Sequence, residues 1–191
     1  MSLTKLKILI VAIGLLIIFI GFHLGLSNFR NGPKKEFYEN GALWSLKNYK
    51  NDKLEGEYKE YCETGELWVQ SDYHNGKQEG ERKTYYKNGG LLSIEPYEND
   101  LIEGKTKFFY DNGALKEEHY YVNGQKDGRS ETFYPNGVLK SQDKYVNGIR
   151  DGKCYKFHEN GKIQTMEVYH NGNLFSRSTF DEYGGLIAEE F

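Results

Sequence analysis

The residues best equipped for chemistry are five histidines (His23, His74, His119, His158, His170), two cysteines (Cys62, Cys154) and 28 Asp and Glu side chains. A metal centre needs three or four such ligands converging on one point, and a nucleophilic site needs a Ser or Cys held against a base. The spacing argues against both. His74 and His170 fall at the same place in an internal repeat, four repeats apart. Stacked hairpins advance about 9.5 Å each, twice the strand spacing, so these two cannot share a metal. His119 and His158 lie far from any cysteine or second histidine in the repeat register and read as exposed strand-end residues. The same arithmetic puts Cys62 and Cys154 roughly 35–40 Å apart, beyond the ~7 Å Cα limit of a disulfide. The acidic residues alternate with lysines, as on solvated strand faces. No G-x-S-x-G, P-loop or H-E-x-x-H motif occurs. The chain therefore reads as non-enzymatic, without metal, cofactor or small-molecule substrate.

Aromatic residues make a more suggestive pattern. The position after a recurring inward aromatic holds Tyr38, Cys62, Tyr86, Tyr110, Tyr134 and His158. Period-2 parity turns this column away from the inward ring. Tyr86, Tyr110 and Tyr134, continued by His158 and joined by Trp68, would thus line the opposite face. Two readings stay open: cross-strand packing that stiffens the sheet, or a stripe that binds a protein partner, since interfaces favour Tyr and Trp.

The elements that position these residues are written in the repeat. Gly41, Gly65, Gly89, Gly113, Gly137 and Gly161 recur every 24 residues, and Tyr49 to Tyr169 and Leu43 to Ile163 keep the same step. A second glycine series runs from Gly32 to Gly152 and gives way to Ser176. Each repeat has two turn signals, such as Asn112-Gly113 and Asn123-Gly124, and Asn-Gly suits a type I′ hairpin turn in which both central residues have positive φ. Asn51-Asp52 and Asn99-Asp100 keep to that rule. The expected fold is all-β: an elongated, solenoid-like, single-layer antiparallel meander of hairpins. Six full repeats occupy 32–175 and a slipped partial repeat, 176–191, reads as a cap. Three large inward groups per repeat, for example Tyr61, Leu67 and Tyr73, form too thin a core for one repeat to fold alone, so neighbours must stack.

Charge excludes one class of partner. The net charge is −3, and with Lys5 and Lys7 set aside the remainder carries 23 basic against 28 acidic side chains, both signs interspersed. A nucleic-acid binder needs a clustered basic face. The first 27 residues differ in kind. Ile8 to Leu26 is apolar apart from His23, and 19 residues of helix rise about 28 Å, close to the ~30 Å hydrocarbon thickness. Gly25-Leu26-Ser27-Asn28 matches a signal-peptidase site weakly, so residues 1–27 read as an uncleaved transmembrane signal anchor, followed by a short linker, 28–31. Lys5 and Lys7 nearly balance Arg30, Lys34 and Lys35 in the positive-inside count, and the short N-terminal tail favours repeats outside the cytoplasm.

A unit such as Gly104 to Gly128, with Phe108-Phe109, Asn112-Gly113-Ala114-Leu115, Tyr121 and Asn123-Gly124-Gln125-Lys126-Asp127-Gly128, resembles the bacterial MORN-repeat variant. The resemblance covers 32–175 fully and the tail partly. It implies a curved single sheet and an antitoxin or immunity protein of the YwqK type that binds and neutralises a cognate toxin. The alternative is a cell-envelope scaffold or lipid-associating adaptor, motivated by the apolar segment and the basic residues after it.

Overall fold

The structure, a computed structural model, describes residues 30–191. The expected membrane helix over 1–27 lies outside the described residues, among which no helix is long and apolar enough to cross a membrane.

Among the described residues seventeen strands follow one another: β1 Gly32–Phe37, β2 Leu43–Lys50, β3 Lys53–Leu54, β4 Gly56–Tyr61, β5 Leu67–His74, β6 Lys77–Tyr85, β7 Leu91–Glu98, β8 Leu101–Ile102 and β9 Gly104–Phe109. They continue as β10 Leu115–Val122, β11 Gln125–Phe133, β12 Leu139–Val146, β13 Ile149–Arg150, β14 Gly152–Phe157, β15 Ile163–His170, β16 Asn173–Phe180 and β17 Leu186–Glu190. Each long strand pairs antiparallel with the next long strand, and the two-residue β3, β8 and β13 pair with β2, β7 and β12 before them, giving an open all-β meander. Residues exactly one repeat apart therefore stand in columns across the sheet, two strands apart.

The two turns of a repeat differ, although both are written Asn-Gly. Between repeats, both central residues are left-handed: Asn75 and Gly76 have φ of 52° and 86°, Asn51 and Asp52 of 51° and 63°. These are the expected type I′ geometries. Within a repeat only the glycine has positive φ, as at Gly41 with 85°. There the Gly41 N–H donates to Tyr38 O at 3.0 Å and the Tyr38 N–H to Ala42 O at 2.9 Å. That is a three-residue loop, a type I turn closed by a left-handed glycine. The Asn40 side chain accepts from the Ala42 N–H at 2.8 Å, which explains the asparagine without a left-handed backbone.

The second glycine series sits at irregularities in the ladder. Gly56 and Gly104 open β4 and β9 with φ of 81° and 96°, and Gly80 and Gly128 interrupt the register of β6 and β11 with 82° and 87°. A left-handed glycine is the usual occupant of such a bulge.

Burial departs from the expected aromatic core. Tyr61, Leu67 and Tyr73 are only half-buried. The hidden side chains are small or polar: Ser45, Ser71, Ser93, Thr106 and Cys154 are each at most 2 % exposed. The reason is geometric. A sheet with no second layer among the described residues leaves large rings partly in water, and only short side chains between them are fully covered. Cys62 and Cys154 are both free thiols, as expected from their separation.

Candidate partner-binding face

One face carries a transverse row of polar side chains, one or two per strand. Lys47 on β2, Tyr58 on β4, Ser71 on β5, Arg82 on β6 and Glu95 on β7 begin it. Thr106, His119, Ser130, Asp143, Cys154 and Glu167 continue it across β9, β10, β11, β12, β14 and β15. Side chains of the row bond to one another and to residues beside it. His119 Nδ1 lies 2.6 Å from Ser130 Oγ and its Nε2 lies 3.1 Å from Glu117, while Arg177 donates to Glu167 at 2.8 Å. His119 is 6 % exposed, not at an exposed strand end. Burial pushes its imidazole below the usual histidine range, and Lys126 adds to the shift.

Beside this row stands the tyrosine column of the repeat: Tyr73, Tyr97, Tyr121, Tyr145 and Tyr169, all half-buried. Arg150 reaches between two of them, its guanidinium donating to Tyr145 Oη at 3.3 Å and Tyr169 Oη at 3.4 Å, and to Asp143 at 3.5 Å. Lys126 Nζ sits 5.5 Å from the Tyr145 ring centre, and Arg150 5.4 Å from that of Tyr169. Burial pushes the Tyr97 and Tyr121 phenols up and the Lys126 ammonium down. Half-buried rings among fixed charges offer broad, rigid contact area at low entropic cost, the composition that binding surfaces favour.

The Glu117–His119–Ser130 chain has the order of an acid, a base and a hydroxyl. Ser130 is 5 % exposed, so the hydroxyl is turned into the sheet and not towards a substrate. Among the described residues no group of His, Cys, Asp or Glu could hold a metal ion.

The five residues singled out from the sequence sit elsewhere. The hydroxyls of Tyr86, Tyr110 and Tyr134 donate to the main-chain carbonyls of Phe109, Phe133 and Phe157, at 2.7, 2.7 and 2.8 Å. Tyr38 does the same to Tyr61 O at 2.8 Å, and His158 Nε2 lies 3.1 Å from Phe180 O. Each bond spans the seam to the next repeat. Lysines cover two of the rings, Lys116 over Tyr110 and Lys140 over Tyr134. These bonds tie neighbouring repeats together. Trp68 is different: it is 46 % exposed. In the last unit the place of the donor is taken by Asp181, whose carboxylate turns inward to accept from the N–H groups of Tyr183 and Gly185 at 2.9 and 2.7 Å.

The tyrosine column is visible in the sequence, where parity alone places it in a covered core. The missing signal is that nothing in the repeat supplies a second layer to cover it.

Six segments, residues 30–51, 54–75, 78–99, 102–123, 126–147 and 150–171, match the MORN repeat variant. No curated protein matches the chain. Among solved structures, the crystal structure of TcdB2-TccC3 aligns with 78 % of this chain at 13 % identity and a TM-score of 0.24. The TcdB2-TccC3-Cdc42 structure aligns with 78 % at 12 % identity and a TM-score of 0.23. In both, the chain spans 11 % of the other chain's length.

Proposed function

The chain belongs to the MORN repeat variant family, and on that footing we propose that it is a non-enzymatic binding protein that grips a protein partner across its tyrosine-lined face. The observation that carries this reading is the row of half-exposed tyrosines interleaved with Arg150, Lys126 and Asp143. Such a surface combines aromatic anchors with charged groups that fix register.

The finer reading is an antitoxin or immunity protein that neutralises a cognate toxin, held at a membrane by residues 1–27 with the repeats outside the cytoplasm. It draws on the likeness of the repeat to bacterial proteins of that kind and on the apolar length of Ile8 to Leu26. Co-expression with the product of the adjacent gene tests it. A stable complex and restored growth support the reading, and absence of both overturns it. The second reading, an envelope scaffold or lipid-associating adaptor, draws on Arg30, Lys34 and Lys35 directly after the apolar segment. Deleting residues 1–27 separates the two. A toxin binder delivered to the same compartment still protects without its tether, whereas a membrane scaffold loses its activity.

A further inference from the structure

The face opposite the tyrosine row carries charge in an order that reverses along the array. At the position following the bulge glycine, and at its partner across the strand pair, the second hairpin places Glu57 opposite Asp72 and the fifth places Arg129 opposite Lys144. Between them, the same position holds Glu81 on the third hairpin and Lys105 on the fourth. Like charges set directly across a strand pair cost stability. Asp72 and Lys144 are exposed, and no ion pair among the described residues involves either. The other charges of this face are matched locally, by the ion pairs Lys59–Glu57, Lys83–Glu81, Lys105–Glu118 and Arg129–Glu131, while Asp72 and Lys144 have none among the described residues.

We infer that this face packs against the same face of a second copy, about a two-fold axis that runs parallel to the strands midway between the two sheets, over the boundary between β7 and β9. Rotation about that axis reverses the order of hairpins and preserves height along the strand. Strand β4 then meets β12 of the second copy, β5 meets β11 and β6 meets β10. Glu57 faces Lys144 of the second copy, Asp72 faces Arg129, and Lys83 faces Glu118, each pair occurring twice, as an isologous interface requires. Among Glu57, Asp72, Lys83, Glu118, Arg129 and Lys144 no residue is brought opposite its own sign. Face-to-face packing of two sheets about 10 Å apart is an ordinary arrangement for twisted sheets. Eight strands of about six residues present roughly 750 Å² of planar area per copy, near the roughly 800 Å² per partner of a stable interface. The dimer leaves both tyrosine faces outward, so it is compatible with the proposed partner site and independent of it.

The test is sedimentation of the full chain in neutral detergent at low salt, with zero-length carbodiimide coupling of carboxylates to amines. Within one copy Asp72 and Lys144 are three hairpins apart, about 28 Å, so a direct bond between them forms only between copies. The expected result is a dimer with coupled peptides joining Glu57 or Asp72 to Lys144, weakened by salt. Asp72→Lys is expected to loosen it about tenfold or more, and Asp72→Lys with Arg129→Asp to restore it. Both sites are exposed, so circular dichroism should stay unchanged. A monomer at tens of micromolar overturns the inference. So does a dimer that is indifferent to Asp72→Lys, as one held through residues 1–27 would be. Capture of inorganic phosphate by monomers at Lys144 likewise overturns it.

Discussion

A phenol hydroxyl that ends on a main-chain carbonyl 23 residues away ties one repeat to the next, and Tyr38, Tyr86, Tyr110 and Tyr134 each do so. Removing one such donor leaves a half-buried carbonyl unpaired, so Tyr110→Phe should lower stability by about 1–2 kcal/mol in urea unfolding at unchanged m-value. Cys62 occupies the same column with a side chain too short to reach, and Cys62→Tyr should add a rung and raise stability by about 1 kcal/mol. Parity made this column legible in the sequence, but not the destination of its hydroxyls, because a main-chain acceptor on a neighbouring strand leaves no residue signature. The burial of His119 is hidden in the sequence for a related reason. Its cross-strand neighbours Thr106 and Ser130 are small, and together they cover a ring that strand position alone marks as exposed. Its folded pKa lies below the unfolded value near 6.5, so the unfolded chain takes up the proton first. Stability from this residue is complete above about pH 6.5 and falls as pH drops below it. Unfolding measured from pH 7 to 5 should show that decline, and His119→Gln should flatten it.

At the scale of elements, two turns with the same dipeptide obey different rules. Asn123 has φ of 49° in a type I′ turn, whereas the equivalent loop at Asn112-Gly113 bends left-handed only at the glycine. A β-branched residue is strained in the left-handed region, so Asn123→Thr should cost about 1–2 kcal/mol in urea unfolding, and Asn112→Thr less than half as much. The sequence held the distinction. Thr64 and Tyr183 precede Gly65 and Gly184 in the within-repeat loop, where only the glycine is left-handed, while the type I′ turn between repeats admits only Asn before Gly or Asp. Strand order, register and repeat count were legible because glycine, leucine and tyrosine recur at one fixed step. The interior was not, since a count of large apolar groups implies a core only where a second layer exists to close it. The seventh unit, with Ser176 replacing the bulge glycine and Asp181 replacing the seam donor, ends the ladder of inter-repeat bonds.

At the scale of the whole molecule, each hairpin touches only its neighbours, so stability is a chain of adjacent interfaces and not a single core. Hydrogen exchange should therefore be slowest at the centre, around β6 to β11, and fastest at β17, where Leu186 to Glu190 are all exposed. Such an array has one obvious capability, which is to present a long, regular surface. On the proposed partner face Arg150 is fixed between two phenols and stays partly exposed. The most direct measurement is calorimetric titration of the full chain, and of Tyr97→Ala/Tyr145→Ala/Arg150→Ala, with the product of the adjacent gene. The expected result is binding that the triple variant weakens at least about a hundredfold, some 2.7 kcal/mol, with the fold intact by circular dichroism. Equal affinity for the two chains, or no binding by either, would contradict a partner site on this face.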